Sequence, residues 1–241
     1  MLPARGILVL SRAAAAAQAR VRPRRKQWLV YPGADLSAFD PARLPAPADA
    51  RALLGLPAGG ALIGMVGRLQ RWKGMHVFVS AMARVHHARP DVRAVIVGAP
   101  HETEPGYAAE LQRQSGALGL DRVVTFAGFQ RNIPEWMQAM DVIVHASDRE
   151  PFGIVVIEAM ALGKPVIAGA GGGPAEIITD GVDGLLAQYG DAGSLASAIL
   201  RYLDDRALAA RLGAAARLRA AAFDDRTYAA NVIAALRESV S

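Results

Sequence analysis

From residue 61 onward, short β-branched apolar runs alternate with longer amphipathic stretches, and this alternation constrains the fold more than any other feature of the chain. Strands are predicted at 61–66, 92–97, 123–126, 142–145, 165–168 and 185–187. Helices are predicted near 72–88, 105–117, 132–139, 153–162, 173–179 and 192–203. Strands that are apolar on both faces and joined by helices of this length belong to βαβ units in a parallel sheet covered on two sides. Gly67, Gly98, Pro100, Gly128, Pro134, Gly163 and the glycine run 171–173 punctuate the junctions. The expected fold is α/β, a doubly wound parallel Rossmann-like sheet of about six strands. Two Ala/Arg/Leu-rich helices, near 205–221 and 225–239, follow and pack outside it, and a proline-rich loop with a short helix near 48–54 precedes it.

Residues 1–27 stand apart from this pattern. Residues 6–10 read as a strand, and Ser11 as the N-cap of an alanine-rich helix. One strand and one helix bury no core of their own. Residues 1–34 contain seven basic residues and no acid; with 27 basic residues in all, 20 remain in the body against 22 acids. The surplus of positive charge therefore belongs to the N-terminal segment. No aromatic platform accompanies Arg20–Lys26, so nucleic acid is not an expected partner. A solvated surface, or contact with anionic lipid at the inner face of a membrane, fits the run better. Arg12 cuts the apolar stretch before it too short for a secretory signal, and the expected location is cytoplasmic. With no cysteine, disulfides, thiolate catalysis and thiolate metal sites are excluded.

In an open parallel sheet, ligands sit beyond the carboxyl ends of the strands. The loop after the first strand of the pattern carries Arg68 and Lys73 between Gly67 and Gly74, a fork of donors and a mobile point charge suited to a diphosphate. The loop after the fourth strand runs Glu150-Pro151-Phe152-Gly153 into an apolar helix. The free N–H groups of Gly153, Ile154 and Val155 would attract phosphate there. Glu158 lies inside that helix, where an unpaired carboxylate is costly. Either a ribose diol satisfies it from outside, or a salt bridge does so from within. His145 ends the fourth strand and reads either as buried packing or as a donor contact. His76 and His101 lack partners at metal-ligand spacing, and no Asp-x-Asp occurs anywhere in the chain.

The Glu150-x7-Glu158 arrangement, with His145-Ala-Ser-Asp-Arg before it and Ala-Met-Ala-Leu-Gly-Lys-Pro-Val after it, resembles the central signature of the retaining glycosyltransferases of family 4, the glycosyl transferase group 1 set. Gly67-Arg68-Leu69, Lys73-Gly74, Phe126-Ala-Gly-Phe129, the 171–173 glycines with Glu176, and Tyr31-Pro-Gly-Ala-Asp35 are similar to further family motifs. The resemblance spans about residues 28–205. It implies the second half of a GT-B fold, two Rossmann-like domains facing a cleft. Residues 1–27 would then be the last strand and helix of an N-terminal acceptor domain, and 28–241 the nucleotide-sugar domain.

The resemblance further implies roles for individual residues. Arg68 and Lys73, with the backbone of Gly153, Ile154 and Val155 and the adjoining Phe152, would hold the donor diphosphate. Glu158 would bind the ribose, and Glu150 would approach the transferred sugar. Gly98, Phe126, Gly128 and Phe129 would flank the base. The reaction would be metal-independent sugar transfer with retention, from a nucleotide-diphosphate-sugar to a carbohydrate, lipid or other small-molecule acceptor, with no cofactor. The chain alone would bind donor weakly and transfer little. A non-catalytic nucleotide-sugar-binding module, a nucleotide-sugar epimerase and a dinucleotide-dependent oxidoreductase are the competing readings. The last lacks a Gly-x-Gly-x-x-Gly after the first strand.

Overall fold

A computed structural model describes residues 5–240. The N-terminal part of the chain forms β1 (Gly6–Val9), α1 (Arg12–Val21) and β2 (Lys26–Leu29), then two short 3-10 turns and α2 (Pro47–Leu53). The repeating part follows: β3 (Leu62–Val66), α3 (Met75–Ala88), β4 (Arg93–Val97), α4 (Tyr107–Ala117), β5 (Val124–Gly128), α5 (Ile133–Ala139) and β6 (Val142–His145). After it come α6 (Ile154–Ala161), β7 (Val166–Gly169), α7 (Pro174–Ile177), β8 (Leu185–Ala187), α8 (Ala192–Asp204), α9 (Arg206–Ala220) and α10 (Asp225–Val240). Each of the six strands predicted beyond residue 60 is present within a few residues of its expected span. The helix expected over 173–179 is a single turn, closed at Ile178.

β3 to β8 make one parallel sheet in the order β5-β4-β3-β6-β7-β8. The chain winds outward through β4 and β5, then returns to the other side of β3. The reversal falls between β3 and β6, so the loops leaving those two strands bound the crevice where such sheets bind ligands. Apolar layers cover both faces. On one, Met75, Phe78 and Met82 of α3 pack with Leu111 of α4 and Ile199 of α8. On the other, Met137 of α5 and Val156, Ile157 and Met160 of α6 pack with Ala216 of α9. Burying an aliphatic side chain of this size stabilises by about 1.5–3 kcal/mol, so the two layers fix the strands that carry the site.

β2 was not foreseen. It pairs in parallel with β1, Gly6 against Lys26 and Val9 against Leu29, and it straddles the division expected between residues 27 and 28. Residues 1–4 and 241 of those two segments lie outside the described residues. The helix α1 buries none of its residues. Its first turn is nonetheless fully tied. Ser11 Oγ accepts from Ala14 N at 3.0 Å, and Glu176 of α7 accepts from Arg12 N at 2.8 Å and Ala13 N at 2.9 Å. Tyr31 Oη donates to the same Glu176 at 2.9 Å. The far side of this unit is tied to α10 by the ion pair Lys26–Glu238 at 2.7 Å. No described helix is long and apolar enough to cross a membrane.

Candidate functional site

The two loops at the sheet reversal meet. Asp148 N donates to Trp72 O at 2.7 Å, and Gly74 approaches the Ala146 carbonyl so closely that a Cβ would lie 2.2 Å from that oxygen. Gly74 also sits at φ 80°, which a side chain adopts only with strain, as it starts α3. Gly153 does the same at the start of α6 with φ 111°. These positive φ angles turn the chain sharply from strand end to helix start and leave backbone donors facing the crevice. The N–H groups of Gly153, Ile154 and Val155 have no acceptor among the described residues; the first bond of the turn is Val156 N to Gly153 O at 2.9 Å. Free donors and the helix dipole together make an anion-accepting surface.

Lys73 points into this crevice and meets Glu150. Its Nζ lies 2.5 Å from Glu150 Oε2, with both side chains largely buried. His145 Nε2 stands 3.3 Å from the same oxygen and 3.3 Å from Ser147 Oγ. Burial alone would push the Glu150 carboxyl up, but hydrogen bonds from His145 and Lys73 and the charges behind them outweigh it, holding the group down at about 2. Glu150 is therefore a carboxylate at every physiological pH. The nearby Lys73 ammonium also lies 4.2 Å from the centroid of the Trp72 ring, which confines the lysine from its other side.

Glu158 has the opposite environment. It lies on the second turn of α6 among Val155, Ile157 and Ala159, and no hydrogen bond or ion pair reaches its carboxylate among the described residues. The salt bridge weighed from the sequence is not there. Its oxygens are not sealed from solvent, yet burial raises the group to about 7. A half-buried acceptor with nothing to accept from, on a helix whose start is free for an anion, is a place for a ligand's hydroxyls.

Other expected site residues divide. Arg68 is exposed, and its Nη1 lies 3.2 Å from His101 Nε2. Gly98 packs backbone on backbone: a Cβ there would lie 1.9 Å from the Gly67 carbonyl oxygen. Phe152, expected at the donor, turns its ring inward. The ring is buried against Tyr31 and Phe223, with centroids 6.0 Å and 5.8 Å away, and so anchors the loop. Phe126, expected to flank the base, lies in β5 within the predicted strand and packs against the core. Gly128 ends that strand, and Phe129 just past it is exposed. Sequence reasoning missed the bonds from Glu176 to α1 and from His145 to Glu150. The one available signal for the second was a histidine placed where a parallel strand ends.

Beside the crevice lies a cavity of about 620 Å³, walled by Ala13, Ala14 and Ala17 of α1 on one side and by residues 147–151, Gly171, Gly172 and Tyr189 on the other. Glu150 belongs both to this cavity and to the crevice. Arg149 on its rim has φ 49°, uncommon for a residue with a side chain, and its guanidinium is open to solvent beside Asp148.

The family model for glycosyl transferases group 1 matches residues 48–219. The chain is 36% identical over 206 residues to a D-inositol 3-phosphate glycosyltransferase of Streptomyces avermitilis, covering 83% of this chain and 44% of that one. It is 32% identical over 176 residues to the lipopolysaccharide core biosynthesis mannosyltransferase LpsB of Rhizobium meliloti, covering 71% and 50%. The chain thus spans about half the length of these relatives. Its fold superposes on Anabaena HepE in complex with UDP-glucose with a TM-score of 0.86 at 32% identity, over 97% of this chain and 64% of that one. By the span of the family match, and with a crevice at the expected strand ends, this chain belongs to the glycosyl transferases group 1 family.

Proposed function

We propose that this chain is the donor-binding half of a retaining, family 4 glycosyltransferase and that the β3–β6 crevice takes a nucleoside diphosphate sugar. The observation that carries the reading is Glu158: a partnerless carboxylate one turn from three free backbone donors and beside the loop bearing Lys73. In this reading the ribose diol donates two hydrogen bonds to Glu158. The diphosphate lies on the N–H groups of Gly153, Ile154 and Val155, within reach of Lys73 and Arg68. Gly98, Gly128 and the exposed Phe129 border the base. Glu150 faces the sugar from the edge of the 620 Å³ cavity, where the acceptor would approach.

The chemistry follows from where charge develops. As the bond from the anomeric carbon to the diphosphate lengthens, negative charge gathers on the leaving group and positive charge on the sugar ring. The α6 start is fixed before the reaction, and Lys73 and Arg68, once drawn onto the diphosphate, stabilise the first together with it; groups so held are worth more in a dry site than in water. Glu150, already ionised, stabilises the second and positions the sugar for attack on the face the leaving group vacates. No Asp-x-Asp is available as a metal clamp in the sequence, and these cations take that role without a metal. The arginines near β1 and β2, Arg5, Arg22 and Arg24, line an open hollow suited to anionic lipid, which would hold a cytoplasmic enzyme peripherally at the inner face of a membrane.

Calorimetry with UDP, GDP and ADP, their hexose conjugates and the bare nucleosides tests the reading. One base is expected to be preferred, with each diphosphate binding far more tightly than its nucleoside. Equal affinity for nucleoside and diphosphate, or no binding of any, refutes it.

A further inference from the structure

His145 is the last residue of β6, held in register against Ala168 of β7, and it is 2% exposed. Its Nδ1 is buried without a hydrogen-bond partner among the described residues. The ring borders a void of about 10 Å³ bounded largely by Val77, Ala168, Ala187 and Leu195, at the lower limit for one water. Its Nε2 faces the Glu150 carboxylate and Ser147 Oγ, each at 3.3 Å. A lone pair at Nε2 would confront the carboxylate. A ring proton therefore belongs on Nε2, where it faces Glu150.

Glu150 thus has two partners of unequal permanence. Lys73 closes the short 3-10 turn after β3 rather than lying in a strand, and the proposed reading gives its ammonium a second duty toward the diphosphate. A diphosphate carries more charge than a carboxylate, so donor binding draws Lys73 away from Glu150. The carboxylate is then buried with one remaining donor on a rigid strand. Resting on that reading of the site, we propose that His145 is a positioning residue: it holds Glu150 toward the donor sugar when the diphosphate takes Lys73. Without it, Glu150 would follow Lys73 toward the phosphates or turn to the cavity for water. The fixed strand position of His145 and its Nε2, 3.3 Å from the carboxylate, suit it to this duty.

The test compares the purified wild-type chain with H145A, H145Q and H145N, measuring binding of UDP, GDP and ADP and of UDP-glucose, GDP-mannose and ADP-glucose by calorimetry and folding by thermal melting. The readout is the affinity gained by adding the sugar to the diphosphate that the wild type binds. A glutamine amide can place its nitrogen where Nε2 stands, whereas an asparagine amide reaches only the Nδ1 position. H145A and H145N are expected to lose about tenfold of the sugar increment, the size of one hydrogen bond to a charged group, while diphosphate affinity changes little. H145Q is expected to retain the increment. An increment that survives in all variants, that Gln and Asn restore equally, or that the wild type lacks overturns the inference and leaves the diphosphate site standing. A wild type that binds no diphosphate overturns the functional reading itself. Should H145A fail to fold, the contrast between H145Q and H145N decides alone.

Discussion

Replacing Glu158 by glutamine should stabilise the protein at alkaline pH while it destroys nucleotide binding. Burial pushes the carboxyl from 4.5 up to about 7, with no partner to offset it. At about 1.36 kcal/mol per pH unit, the gap makes ionisation in the folded chain roughly 3 kcal/mol less favourable than in the unfolded one. Between those two values the folded chain binds more protons than the unfolded chain, so stability falls as pH rises through the window and levels off above it. Glutamine has the shape of the protonated acid and does not titrate. Urea unfolding followed by tryptophan fluorescence should give similar stabilities for E158Q and wild type near pH 4 and a gap of about 3 kcal/mol in favour of E158Q near pH 8.5. Other titrating groups are common to both proteins and cancel in the difference. A gap independent of pH would refute the reasoning, because it would mean that Glu158 is partnered or solvated. The ligand requires the opposite protonation state, since a diol donates two bonds only to the carboxylate. Wild-type diphosphate affinity should therefore rise as pH passes through about 7.

Three other perturbations separate the parts of the site. R68A should weaken UDP far more than uridine in calorimetry and leave stability within about 0.5 kcal/mol, because Arg68 is exposed; equal losses for both ligands would remove Arg68 from the diphosphate site. K73A should also destabilise the fold, by up to about 3 kcal/mol in urea, since Glu150 would keep its burial and lose its cation; an unchanged midpoint would show the pair to be solvated. E176A should cost about 1–2 kcal/mol and speed amide exchange at Arg12 and Ala13, whose N–H groups it caps; exchange at those amides equal to wild type would mean that the cap is not formed in solution.

The sheet was legible because most of its strands are buried on both faces and therefore read as apolar runs, many of them closed by glycine. The reversal between β3 and β6 needs the pairing order, but the two loops it selects were those already singled out by Arg68, Lys73, Gly153 and Glu158. β2 was not legible: Lys26-Gln27-Trp28-Leu29 follows a basic run, has little apolar pattern, and owes its strand form to β1. Phe152 shows a different limit. An aromatic residue in a binding loop points to ligand or to core according to what lies behind it, and the rings behind it, Tyr31 and Phe223, are remote in sequence. The same holds for Lys73 and Glu150, both expected at the donor and 77 residues apart, which the structure places on each other. Glu158 was read as needing a partner, and the fold supplies none, so the ligand remains the candidate.

A crystal structure of the chain with bound UDP tests the central claim most directly. The diphosphate should lie on the backbone of residues 153–155 with the ribose hydroxyls on Glu158, and Lys73 should have left Glu150 for a phosphate oxygen. UDP bound elsewhere, or Lys73 still paired with Glu150 and the ribose away from Glu158, would contradict it.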